Sequence, residues 1–314
     1  MTRWVAQTRQ NYVSMTPYND TDTTIHGFQG THQPAIWMGE SGQAIIVPGA
    51  GDVKDLFEER GMSFSREDEV LTASYYSVNM DAKEGGKIFA EQSASVYIEL
   101  SLQLLLIRSF LASRVGHLRF TFTGTSTPYV LVLATRPSII GSADVNNLTY
   151  PEGTITIDPS NREITGSNPE RQDFIIQPTS TPAVNWSGYF CARFDTEFKS
   201  WGTANNGTLH DGEQYGSGAT LSGFAKFDTK TKVVNVRVGV SFISVEQARK
   251  NLEKEIPDGI TLEQTAKKTR EEWAEKLDRI QIQGASEKDM QIFYTGFYHA
   301  LQVKMLSTTA RESD

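Results

Sequence analysis

Between His26 and Gly42 the chain reads His-Gly-Phe-Gln-Gly-Thr-His-Gln-Pro-Ala-Ile-Trp-Met-Gly-Glu-Ser-Gly, gathering two of the five histidines, one of the five tryptophans and four glycines around Pro34. These residue types suit recognition of a polar small molecule. An indole such as that of Trp37 offers a flat apolar face to the C–H bonds of a sugar ring. His32 and Gln33 each have donor and acceptor capacity for hydroxyl groups. Pro34 and the glycines would fix the loop and let its backbone approach a ligand closely. The stretch has neither a helical nor a strand period, so it reads as a loop. A packed turn closing one end of a sheet, with Trp37 as a core plug between Ile36 and Met38, has the same composition, and composition alone leans slightly to that turn.

Other chemistry is missing from the sequence. It has no phosphate-binding loop, no Gly-x-Gly-x-x-Gly after a strand, no His-Glu-x-x-His, no EF-hand loop and no Gly-x-Ser-x-Gly elbow. His26 and His32 lack a carboxylate cluster at ligand spacing, so no zinc site is expected. His117 falls on the polar side of an alternating strand and His299 beside Tyr298 on a helix; both read as surface or packing histidines. The single cysteine, Cys191, forms no internal disulfide and reads as a small buried apolar residue. A net charge of -8 (30 Lys+Arg against 38 Asp+Glu), without a basic run interleaved with aromatics, argues against nucleic acid as a partner.

The elements that must position the loop are mostly short strands. Ala44 to Pro48, Ala73 to Asp81, Lys87 onward, Leu118 to Phe122, Tyr129 to Ala134, Gly188 to Phe194, Leu221 to Phe227 and Val233 to Ile243 have strand composition or alternation. So does Asp173 to Gln177, and Gly153 to Gly166 resembles a hairpin. Together they predict a β-sandwich, in which the glycine-rich run Gly202 to Gly218 is a long connecting loop. Val96 to Ala112 breaks the pattern by being apolar on every side. It is too short, and with Glu99 and Arg108 too charged, for a membrane span, and reads as a buried helix. From Ser244 the period becomes helical. Ser244 with Gln247, Thr261 with Gln264 and Ser286 with Asp289 have N-cap spacing, and Met290, Phe293, Phe297 and Leu301 form one stripe. Trp273, Leu277 and Ile280 are expected to pack where strands and helices meet.

Several segments together resemble family 92 of the glycoside hydrolases, calcium-dependent exo-acting α-mannosidases. They are Gly27-Phe28-x-Gly30-Thr31-x-Gln33-Pro34-x-x-Trp37-Met38-Gly39, Ala73-Ser-Tyr-Tyr-Ser-Val, Arg114-Val-Gly-His-Leu-Arg-Phe, the segment from Val238 to Leu252, and Ile292-Phe-Tyr-Thr-Gly-Phe-Tyr-His-Ala-Leu. The resemblance implies a mainly β fold: an N-terminal β-sandwich of supersandwich type over 1–243, a helical linker over 244–285, and over 286–314 the first helix of an incomplete (α/α)6 barrel. It lapses over Val96 to Ala112 and stops at Gln302. Both interruptions open with valine, whose codons begin GT as most introns do, so translated intron sequence is the expectation there.

The resemblance also implies a function. The substrate is a mannose-terminated glycan, and Trp37, His32 and Gln33 line the sugar pocket, while Glu40 stands where the family often has aspartate. The general acid, the general base and most calcium ligands belong to the barrel domain. This chain is therefore expected to be truncated at both ends and inactive alone, with no catalytic residue and no calcium ligands of its own. A non-catalytic carbohydrate-binding or interaction module is the alternative. Asn-x-Ser/Thr triplets at Asn19, Asn147, Asn185 and Asn206 lean towards a secreted parent, although the first residues of the chain have no signal-peptide core.

Overall fold

The computed structural model describes residues 3–10, 17–31, 44–101, 108–135, 137–139, 148–169 and 186–306. Two large antiparallel sheets face one another. One has seven strands in the spatial order Arg3–Ala6, Phe28–Thr31, Ile45–Ala50, Pro128–Leu133, Leu221–Lys226, Ser200–Asn205 and Thr208–Asp211. The other has eleven, centred on Tyr76–Asp81, Lys87–Ala94, Val115–Thr123, Val233–Ser241 and Gly188–Phe194. Val130, Val132 and Ala225 from the first sheet meet Val78, Ile88, Leu118, Phe120, Val236 and Val238 from the second in one core cluster. The period of two explains the alternation of Val234, Val236, Val238 and Val240, all turned inward. Pro128–Leu133 is buried throughout because its alternate residues, Tyr129, Leu131 and Leu133, join a second cluster with Ile45, Val47 and Phe224.

Among the described residues three helices follow the sandwich, α2 (Val245–Glu255), α3 (Leu262–Leu277) and α4 (Glu287–Leu306), after a one-turn α1 (Phe57–Arg60) within it. Their starts obey the cap spacings. The Ser244 hydroxyl accepts the N–H of Gln247, Thr261 and Gln264 form a reciprocal capping box, and the Ser286 hydroxyl accepts the N–H of Asp289. Helix α2 packs Ala248, Leu252 and Ile256 against Val115 and Cys191. Cys191 is the buried apolar residue expected, and burial pushes its thiol up to about 12. No helix among the described residues is long and apolar enough to cross a membrane.

Four expectations need correction. Gly202 to Gly218 is not a connecting loop: Ser200–Asn205 and Thr208–Asp211 pair around an Asn206-Gly207 turn with φ of 49° and 82°, and Tyr215–Gly218 pairs with Gly153–Asp158. Asn-Gly favours such a two-residue turn, Gly207 and Gly212 occupy turns at positive φ, and Gly202, Gly216 and Gly218 are strand residues in close contact with neighbours. Val96 to Ala112 is not the expected helix in its described residues, 96–101 and 108–112. Tyr97–Ser101 and Arg108–Ala112 pair with each other alone as a ribbon, because the segment leaves the tip of an antiparallel hairpin already closed behind it by the Ser95 N–H on the Val115 carbonyl, 2.8 Å. His117 is buried rather than on a polar face, since α3 covers that face and Thr265 Oγ1 lies 3.0 Å from its Nδ1. Of the three residues expected at the strand–helix junction, Trp273 is buried, Leu277 half-buried and Ile280 exposed. The strand expected at Asp173 to Gln177 and the triplets at Asn147 and Asn185 lie outside the described residues.

Candidate functional site

His32, Gln33, Trp37 and Glu40 all lie outside the described residues, whereas both stems of their loop lie within them. The first half of the His26 to Gly42 stretch is a strand, Phe28–Thr31, antiparallel to Arg3–Ala6 with Trp4 opposite Gly30 and Arg3 opposite Thr31. On the return side the Ala44 carbonyl accepts the Gly30 N–H at 3.0 Å. The entry is held by the buried guanidinium of Arg60, which donates to the carbonyls of His26 and Asp55 and to the Gln7 side chain at 2.8, 2.9 and 3.1 Å. His26 stacks on Phe57 at 3.7 Å, and its Nδ1–H donates to the Phe57 carbonyl at 2.8 Å. Burial, with Arg60 and Lys83 nearby, lowers its pKa to about 4. It is a neutral structural group.

Beside those stems a cleft of about 480 Å³ opens between the ends of the two sheets and helices α3 and α4. Aromatic rings dominate its walls: Trp4, Tyr18, Tyr75, Tyr76, Trp273 and Tyr298. The Trp4 indole crosses the mouth of the sandwich, lying over Gly30 and Gly116. A Cβ on Gly116 would collide with Nε1, so that position requires glycine unless the indole moves, and one on Gly30 would stand a tight 3.1 Å from the indole. Tyr76 alternates inward along its strand and reaches the end of the sheet. There it donates to Glu69 Oε1 at 2.6 Å, and Tyr18 donates to Glu69 Oε2 at 3.0 Å. Arg66 completes this cluster by donating to the Tyr18 hydroxyl at 2.8 Å, with its guanidinium 5.4 Å from the Tyr18 ring centre.

The second wall joins strand to helix. Tyr75 donates to Glu91 at 2.7 Å, Glu91 takes a two-pronged bond from Arg119 at 2.7 Å for each prong, and Arg119 also pairs with Glu263 of α3 at 2.6 Å. The Trp273 and Tyr298 rings, 4.5 Å apart, bring α4 to the rim. Burial first, and hydrogen bonding to carboxylates second, raises the phenols of Tyr18 and Tyr76 and pushes that of Tyr75 up to about 12. All three phenols are therefore neutral donors, already spent on Glu69 and Glu91.

The carboxylates of Glu69 and Glu91 are occupied by tyrosines and arginine. Among the described residues no group of three or more His, Cys, Asp or Glu is placed to hold a metal ion, and these residues do not fit calcium's need for six to eight oxygen ligands. Trp4, Tyr18, Glu69 and Gln92 were not legible as site residues, because strands far apart in sequence bring them together. Tyr75 and Tyr76 carried a signal in the quoted segment Ala73 to Val78.

The glycosyl hydrolase family 92 N-terminal domain matches residues 1–241, and the glycosyl hydrolase family 92 catalytic domain matches residues 247–313. Among solved structures, the chain is similar to a family 92 inverting mannosidase of Bacteroides thetaiotaomicron, with 27% identity and a TM-score of 0.75 over 95% of this chain and 35% of that one. A family 92 α-mannosidase of the same organism, also solved in complex with mannoimidazole, has the same fold at 19% identity and TM-scores of 0.69 and 0.70. It matches over 95% of this chain. The chain thus spans about a third of the length of these relatives, 35% to 37%. No curated protein matches it.

Proposed function

Because the chain belongs to glycosyl hydrolase family 92, we propose that this cleft is the sandwich's share of the mannose pocket of an exo-acting, inverting α-mannosidase of the α-1,2-mannosidase type. In this reading residues 1–243 are the sandwich, 244–285 the linker and 286–314 the start of the barrel. The sugar-binding roles belong in this reading to Trp37, His32, Gln33 and Glu40 of the loop whose stems border Trp4, with Trp37 as the stacking face. The substrate is a mannose-terminated glycan such as an N-glycan end. The observation that carries the reading is positional. The loop stems, the aromatic cleft and the first helices of the catalytic-domain match converge at one end of the sandwich.

The described residues bind and orient, and do not supply a catalytic carboxylate pair. Calcium and the acid and base belong to the longer enzyme of a secretory pathway, and this chain taken alone is inactive. The test is an assay of the purified chain on an aryl α-mannoside with and without calcium, together with titration of methyl α-mannoside. The expected result is binding without turnover. Calcium-dependent turnover overturns the division of labour, and failure to bind any mannoside overturns the pocket.

A further inference from the structure

Of the Asn-x-Ser/Thr triplets, those at Asn19 and Asn206 lie within the described residues, and the fold treats them differently. Asn206 opens the two-residue turn between Ser200–Asn205 and Thr208–Asp211, and Asn206, Gly207 and Thr208 are all exposed. The turn is held through its backbone. The Gly207 N–H donates to Asp55 Oδ2 at 3.0 Å and the Asn206 N–H to the Thr220 carbonyl at 3.4 Å. The Asn206 side-chain amide makes no hydrogen bond with another described residue.

Asn19 is half-buried and engaged on every side. Its Oδ1 accepts the N–H and the hydroxyl of Thr21 at 2.9 and 2.7 Å, its own N–H donates to Thr8 Oγ1 at 2.9 Å, and its carbonyl accepts from Arg66 at 3.3 Å. It also follows Tyr18, whose ring is a wall of the cleft. A glycan replaces one amide hydrogen of asparagine by a bulky, water-loving sugar chain, so the folded protein must keep that side chain in solvent with its surroundings open. Asn206 meets this condition. Bulk there also stands clear of the cleft, because Arg3–Ala6, which carries Trp4, and Thr208–Asp211 are opposite edges of the seven-stranded sheet. Six inter-strand steps of about 4.8 Å put roughly 29 Å between them.

We infer that Asn206 is the acceptor of an N-linked glycan and that the fold accommodates a glycan there in preference to Asn19. The inference rests on the secretory-pathway reading for the transferase that makes the bond. In that step Asn206 Nδ2 attacks the anomeric carbon of a sugar carried on a lipid pyrophosphate. The N–C bond forms as the bond from that carbon to the phosphate oxygen breaks. The lipid pyrophosphate leaves with the electron pair of the broken bond, and the amide nitrogen gives up one proton to solvent. The transferase needs the Thr208 hydroxyl two residues on, and the intervening Gly207 satisfies the exclusion of proline.

The experiment is mass spectrometry of tryptic peptides from the intact protein purified from its own cells. Cleavage after Lys199 and Lys226 releases Ser200–Lys226, which contains the Asn206 triplet and no other. That peptide should carry the mass of an N-acetylhexosamine and hexose chain, and the peptide containing Asn19 should be bare. Thr208→Val should remove the whole glycan mass while Asn206 stays in place, and Thr208→Ser should retain it, a pattern that follows the acceptor motif. Should Thr208→Val fail to fold, the wild-type peptide decides by itself. A bare Ser200–Lys226 beside a glycan at Asn19, Asn147 or Asn185 overturns the assignment and leaves the secretory reading standing. Glycans on both Asn206 and Asn19 keep the acceptor and overturn the preference. A protein without glycan on any triplet overturns both the assignment and the secretory reading.

Discussion

Helices α2 and α4 each begin at a serine N-cap and each carry an apolar stripe, yet they meet the sandwich differently. Ala248, Leu252 and Ile256 of α2 and its C-cap are buried on Val115 and Cys191, and Arg249 of α2 joins Arg193 on the carboxylate of Glu163, whose side chain is 4% exposed. None of the α4 side chains from Glu287 to Leu301 is buried; Phe293 and Phe297 are half-buried, and Ile292 is 62% exposed. An apolar stripe therefore does not by itself seat a helix. The seat needs a facing surface of complementary shape, which the Gly188–Phe194 and Val233–Ser241 strands provide for α2. At the cleft end α4 meets the rest of the chain through the Trp273 and Tyr298 rings, 4.5 Å apart.

This contrast can be broken at several points. Leu252→Ala empties part of the α2 seat and is expected to cost roughly 2–5 kcal/mol in denaturant unfolding; a cost below about 1 kcal/mol would show that α2 is not docked as described. Glu163→Gln removes the charge facing Arg193 and Arg249 and should cost about 3 kcal/mol. That loss should be little altered by salt, because the carboxylate is buried.

The next effect is on pH dependence. The His117 pKa is lowered to about 4 by burial, with Arg237 and Arg119 adding to it, against 6.5 unfolded. The unfolded imidazole therefore takes up its proton first as pH falls. The stability from keeping His117 neutral is complete above about pH 6.5 and is lost between there and about pH 4. At pH 5 the loss is about 2 kcal/mol, and His26 acts in the same direction. Thermal melts at pH 7 and 5 should show the fall, and His117→Gln should remove the part due to His117 while that of His26 remains. Smaller still is Phe293→Ala on α4, expected to stay under about 1 kcal/mol in the same melts. Excision of residues 96–112, joining Ser95 to Ser113, should cost nothing measurable and gain at most about 1 kcal/mol from the shorter loop. The hairpin tip keeps its Ser95–Val115 bond, and Glu255 still holds Ser95 and Arg114. Loss of the folded circular-dichroism signal would show that the ribbon is integral.

The legible parts of the fold are those with local causes. Val233–Ser241 alternates because one face meets the core, and Ser244, Thr261 and Ser286 mark helix starts because their hydroxyls accept a nearby N–H. Where local signals were ambiguous the reading failed. An all-round apolar run suits a buried helix or a strand equally, and the pairing of Tyr97–Ser101 with Arg108–Ala112 follows from the hairpin on which it stands. The run Gly202 to Gly218 suggested a loop because sequence does not show the neighbours that crowd Gly202, Gly216 and Gly218.

By itself the sequence determined the sandwich-then-helices order, the cap positions and the aromatic, amide-rich character of the stretch beside Trp4, since each depends on residues close along the chain. Only the tertiary structure decided which groups meet at the mouth of the sandwich. Trp4, Tyr18, Glu69, Tyr76, Gln92 and Trp273 are separated by up to hundreds of residues, and hydrogen bonds and packing across strands determine which polar atoms are satisfied and which are left open.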